Sequence, residues 1–156
     1  MTARLGVLLC FLAVSNCGGP VVSHGGPVRD HVTLVDNLRA RGFGVEPIGQ
    51  TKVVPLDVPA TGVVVSGGAL RGPVTLLSFD YDDTDLGRDG QRTAEEDARE
   101  IAEGARVTNT TDGVRLPSGP AHFYRRERVI VMYVGADPEM LRVLVDLFGP
   151  QFAGAH

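Results

Sequence analysis

The stretch Asp80-Tyr-Asp-Asp-Thr-Asp85-Leu-Gly-Arg-Asp89 carries acids at close, partly alternating positions. Carboxylates spaced in this way can wrap a hard cation such as calcium, which prefers oxygen ligands. Asp80, Asp82, Asp83 and Asp85 are therefore the residues of a cation- or small-ligand-binding reading. An EF-hand register starting at Asp80 fails, because Asp85 falls where glycine is required and Gln91 where glutamate is. The plainer alternative is a solvated loop running into a helix, with acids favoured near its positive end.

Further along, Arg125, Arg126 and Arg128 form a small basic turn with Glu127 among them. Such a turn can meet an anion or a lipid headgroup, or it can simply charge a hairpin tip against edge-to-edge pairing. With the preceding His122 and Tyr124, these arginines make the expected partner-contact surface. His122 is also the histidine best placed to act as a base or ligand, but no second ligand stands at metal-site spacing. A side chain filling one face of a strand explains it equally well. Ser66 and Ser118 have no base nearby in sequence. The Gly-x-Ser-x-Gly elbow and the P-loop are both absent, and Gly42-x-Gly44 follows a helix instead of opening one. The sequence accordingly predicts no catalytic residues, no metal centre and no cofactor.

Cys17 carries the most specific signal. Met1 to Arg4 supply a positive start, Leu5 to Val14 an apolar run, and Ser15-Asn-Cys17-Gly-Gly-Pro20 a break of small residues. That order is the order of an export signal, and the run is shorter than the roughly 20 apolar residues of a bilayer-spanning helix. Leu12-Ala-Val-Ser-Asn-Cys17 resembles the lipobox of bacterial lipoprotein precursors. In that family the cysteine is diacylated and cleavage falls just before it. Two or three chains anchor a protein stably, whereas one holds it only marginally. Asn16 stands where glycine, alanine or serine is usual, so ordinary signal-peptide cleavage near Ser15, followed by secretion, is the alternative. The other cysteine, Cys10, lies within the run to be removed. Thiol nucleophiles, Cys-based zinc sites and iron–sulfur clusters are thereby excluded from a lipidated mature chain.

These features divide the chain into a signal peptide over 1–16, a lipid-anchored tether over 17–29 and one domain over 30–154. The 156 residues are 43% hydrophobic and 22% charged, which suits one globular core. Fifteen Lys and Arg against nineteen Asp and Glu leave a net charge of −4, which argues against nucleic-acid binding.

The elements that must position any site follow from periodicity. A helix is expected over Asp30–Arg41, with Val32, Val35 and Leu38 as its stripe and Leu34 beside it. Phe43–Ile48, interrupted by Pro47, is expected at a sheet edge, and Val53–Val58 is at best an irregular edge strand. Thr61–Ser66 and Val74–Tyr81 are predicted to pair as a hairpin. Thr93 to Glu96 fits a capping box opening a helix over Ala94–Glu103, with Ala98, Ile101 and Ala102 inward. Thr108–Leu116 is expected as an edge strand or loop. Ala121–Arg125 and Val129–Val134 are expected to pair across a turn at Arg126-Glu127. Asp137 then caps a helix with Pro138 first, Met140, Leu141, Leu144, Val145 and Phe148 inward, and Gly149-Pro150 closing it.

The lipobox-like start, Leu38-Arg-Ala-Arg-Gly42, and above all His122-Phe-Tyr-Arg125, Val129-Ile-Val-Met-Tyr-Val-Gly135 and Gly149-Pro-Gln-Phe-Ala-Gly154 carry a further likeness. Together they resemble a group of small uncharacterised bacterial lipoproteins. The likeness spans roughly Asp30 to Gly154, with a longer loop around Asp82 to Arg92. It implies location outside the cytoplasm and transfers no functional residue. The fold expected is α+β, a mainly antiparallel sheet of five or six strands with about three helices mostly on one face. The function expected is that of a non-catalytic, lipid-anchored domain that binds a partner or assists an envelope complex. A cation or small-ligand binder at Asp80–Asp89 is the second expectation, and an enzyme of dispersed residues the third.

Overall fold

The computed structural model describes residues 26–81, 90–109 and 118–155. Its frame is a six-stranded antiparallel sheet built from β1 (Gly44–Thr51), β3 (Ala60–Ser66), β4 (Val74–Asp80), β6 (Ala121–Arg126), β7 (Val129–Val134) and β8 (Ala153–Gly154). The order across the sheet is β1-β3-β4-β7-β6-β8, so the most apolar strands, β4 and β7, lie at its centre. A separate pair joins β2 (Val53–Val54) to β5 (Thr108–Asn109). The architecture is therefore the α+β, mainly antiparallel one that the sequence pattern implies.

Strand alternation gives the sheet two apolar faces, and helices cover both. On one face, α1 (His31–Ala40) and α3 (Pro138–Phe148) bury Leu34, Leu38, Met140, Val143, Leu144, Leu147 and Phe148 against Val63, Val65, Leu76, Val129 and Val131. On the other, α2 (Gly90–Ala102) sets Ala94, Ala98 and Ile101 against Leu77, Phe79, Ile130 and Met132, with Leu56 and Val58 beside them. Burying a Leu or Phe side chain stabilises a fold by about 1.5–3 kcal/mol, so these two layers hold the sheet between them.

Local signals fix the helix ends. The Asp30 carboxylate accepts from the Thr33 amide at 2.7 Å, and the Thr33 hydroxyl accepts from the Asp30 amide at 3.1 Å. Asp137 caps α3 with Pro138 at its first turn, and Gly149 closes it at φ +90°.

Several expectations shift. α2 begins at Gly90, so Thr93 lies inside its first turn, 1% exposed, and does not cap it. A Cβ on Gly90 would collide with the Tyr81 carbonyl, so the backbone approach itself starts the helix there. The earlier start turns Ala94 and Asp97 inward and leaves Ala102 exposed. In α3, Val143 and Leu147 face the core and Val145 is exposed. The β6–β7 turn is Glu127-Arg128, because Arg126 pairs with Val129 and the Arg128 carbonyl accepts from the Tyr81 amide. Of the strand expected over Thr108–Leu116, only Thr108–Asn109 lies among the described residues, and Val53–Val58 reduces to a two-residue strand. In α1, Leu34 and Leu38 are buried while Val32 is 64% exposed. That last difference leads to the site.

Candidate functional site

The acidic stretch is split by the fold. Asp80 ends β4, and its carboxylate accepts from the His31 amide at 3.2 Å, holding the first turn of α1. Asp82, Asp83 and Asp85 lie outside the described residues. Among the described residues no group of three or more His, Cys, Asp or Glu is gathered as for a metal ion.

The basic hairpin turns much of itself inward. His122 and Tyr124 are 6% and 1% exposed, so neither side chain can serve as the contact surface expected of them. The His122 ring lies 3.0 Å from the Gly135 carbonyl and 2.8 Å from the Gln151 side chain, and stacks on Tyr133. It ties β6 to the C-terminal segment. Tyr124 packs its ring against Phe148 of α3. Arg126 donates to the Leu147 carbonyl at 2.8 Å, completing the end of α3. Arg125 reaches Glu95 at 3.4 Å, a half-exposed pair worth little. Arg128 is half-buried beside Tyr81. The hairpin thus works as a clamp on the fold. Cys17 lies outside the described residues.

What sequence reasoning missed is a meeting of residues nearly fifty positions apart. β4 places Ser78 and Asp80 on the face that α1 crosses, and α1 sets His31 above them. His31 Nδ1 is 2.7 Å from Ser78 Oγ, and Ser78 Oγ is 3.2 Å from the Thr61 carbonyl. The Ser78 hydroxyl has one proton, which it gives either to the Thr61 carbonyl, with Nδ1–H then donating to Ser78, or to Nδ1 itself. Burial holds the ring below the usual histidine range against the opposing pull of Asp80 and Asp30, so it is neutral near pH 7. Among the described residues no hydrogen bond reaches Nε2.

These three residue types suggest an acyl-transfer triad, but the geometry is wrong for one. Ser78 is 2% exposed, and Asp80 holds an amide instead of the ring. The constellation docks α1 and orients one imidazole.

That imidazole lines a groove of about 240 Å³ between α1 and the β1–β3 edge. Val32, Val35, Val45, Pro47 and Val63 supply its apolar walls, and Asp36 and Arg39 stand on α1 at its side. Arg39 donates to the Val45 carbonyl at 3.4 Å, linking helix to edge strand. The only sequence-level hint was the breadth of α1's apolar face, wider than one stripe needs.

Two other hollows lie apart from that groove. One of about 330 Å³ beside Arg71 and Asp137 has its acid already engaged. The amides of Arg71, Met140 and Glu139 hold Asp137 below the usual carboxylate range. The other, about 480 Å³, lies between the end of α2 and Phe123, Phe152 and Gly154, with no charged side chain on its walls.

No family model, curated protein or solved structure matches the chain. Among the described residues no helix is long and apolar enough to cross a membrane.

Proposed function

We propose that this chain is a non-catalytic binding domain, exported and held at a membrane through lipid on Cys17, whose binding site is the α1–β1 groove. The observation that carries the reading is the incomplete coverage of α1. Leu34 and Leu38 are fully buried, whereas Val32, on the same helix, is 64% exposed beside an unfilled apolar groove. Apolar surface left open beside a neutral imidazole and two charges suits recognition of an envelope component. The anchor reading comes from Leu5 to Cys17. The spacer is shorter than the expected 17–29, because Val28 is a core residue at 1% exposure and the Gly26 carbonyl accepts from Asn37. The residues before Gly26 would give the domain room above the headgroups.

The test is made in intact cells, with a photo-crosslinking phenylalanine derivative at Val32. Its exposure makes this position tolerant of a large side chain. Adducts are expected in the membrane fraction, and a further Cys17→Ser change should move the domain out of that fraction and abolish lipid labelling. A folded domain that stays with the membrane as Cys17→Ser removes the anchor reading. A folded, anchored domain that forms no adduct from Val32 removes the groove.

A further inference from the structure

We propose that the cleft between β4 and β7, at the start of α3, binds a small carboxylate with an apolar body, whose oxygens accept from the Tyr133 hydroxyl and the Arg71 guanidinium. This site shares no lining residue with the α1–β1 groove and stands or falls separately from it.

The cleft is an opening inside the sheet. β4 pairs with β3 as far as Val74, and β7 pairs with β6 as far as Val134, yet the ladder between β4 and β7 stops at Leu76–Tyr133. The two central strands part there, and a hollow of about 330 Å³ lies among Val74, Thr75, Val134, Gly135 and Asp137. That volume equals about eleven waters at the roughly 30 Å³ each occupies in the liquid, room for one ring or one terminal side chain. Pro73, Val74, Val134 and Ala136 give it apolar walls, against which an apolar body gains by leaving water.

Two side chains bring uncommitted donors to it. Tyr133 is 1% exposed, and its hydroxyl lies 2.9 Å from the Asp137 amide and so near Gly135 that a Cβ there would collide with it. Gly135 and Asp137 both line the cleft, which puts the hydroxyl at its wall. The phenol oxygen accepts from the Asp137 amide, but the phenol proton has no acceptor among the described residues. Arg71 is tied to the Asp137 carboxylate through its backbone amide at 2.9 Å, and the guanidinium of this exposed residue makes no hydrogen bond among the described residues.

Asp137 itself offers a ligand little, since the amides of Arg71, Glu139 and Met140 already occupy its oxygens. Its charge is offset by those bonds and by the positive end of α3. Two free donors, one of them cationic, select a ligand that accepts. A monocarboxylate does so with a planar pair of oxygens that fits a guanidinium. A dianion would meet the Asp137 charge more strongly.

The test uses the purified full-length chain carrying Cys17→Ser, with two carboxylates as probes, benzoate and N-acetylvaline, each paired with its neutral amide. Backbone amide resonances of Arg71, Gly135 and Ala136 should shift at millimolar carboxylate, and the acid should bind roughly tenfold tighter than its amide. Tighter binding of benzoate assigns a free acid, and tighter binding of N-acetylvaline assigns a peptide terminus. Arg71→Gln keeps the backbone bond to Asp137 and should bring acid and amide to similar affinity. Tyr133→Phe should weaken the acid about tenfold. That change also strips the Asp137 amide of its acceptor, so if the variant fails to fold, Arg71→Gln and the wild-type shifts decide the matter. Undisturbed amides with both carboxylates, an amide binding as well as its acid, or an undiminished preference in Arg71→Gln overturns the inference. A folded Tyr133→Phe with wild-type affinity does so too.

Discussion

A half-buried histidine and a buried aspartate respond to pH in opposite directions because their environments differ. His31 is held below its ordinary range by burial, so the folded state binds its proton less readily than the unfolded chain. Stability from this residue is therefore complete above the unfolded value of about 6.5 and declines as pH falls below it. Denaturant midpoints measured from pH 7.5 to pH 5 should fall for the wild type, and less steeply for His31→Gln. Asp97 behaves the other way. Burial raises its carboxyl, although the Tyr81 hydroxyl and the Asp57 amide, the latter at 2.9 Å, both donate to it. The folded state holds this proton more tightly, so its contribution falls as pH rises through the ordinary carboxylate range toward the raised value. Asp97→Asn keeps an oxygen to accept both hydrogen bonds and sheds the buried charge, so it should cost less than 1 kcal/mol, roughly the worth of one hydrogen bond. Asp97→Ala strands the tyrosine hydroxyl and the amide and should cost about 1–3 kcal/mol in urea unfolding.

At the level of elements, the β6–β7 hairpin shows what sequence can and cannot specify. Alternation gives both strands, and Val129–Val134 is nearly continuous apolar sequence buried on both faces. The turn is displaced by one residue because a single-residue slip would carry Val129 and Tyr124 to the wrong faces. Its cost lands on Glu127, the one described non-glycine residue at positive φ, +50°. Asparagine tolerates that conformation better than glutamate. Glu127→Asn should therefore raise stability by about 0.5–1 kcal/mol, seen as a higher urea midpoint with unchanged slope. An unchanged or lower midpoint would show that the positive φ at Glu127 carries no relievable strain.

For the whole molecule, the decisive fact is that both faces of one sheet are covered, but unequally. α1 and α3 share one face and α2 takes the other with the Leu56–Val58 loop. α3 lies close to β6, held there by Tyr124 and Arg126, so among the described residues the far side of α1 toward β1 has no helix beside it. The groove is the space left over. The fold class, the edge position of β1 with its Pro47 and the capped ends of α3 were all legible, because each depends on neighbours a few residues away. The capping box at Thr93 misled for the same reason. Its residues have the right types, but the close approach of Gly90 to Tyr81 had already begun the helix.

The apolar periods, the caps at Asp30 and Asp137 and the stop at Gly149 were determined by sequence alone, since propensity, hydrogen bonding to adjacent amides and allowed φ are local properties. Tertiary structure alone decided that Leu34 is covered and Val32 is not, that Asp80 holds a helix terminus, and that His31 meets Ser78 across the sheet. Those outcomes depend on which surfaces meet across the sheet, and a pattern along one segment carries no information about the distant segment that packs against it.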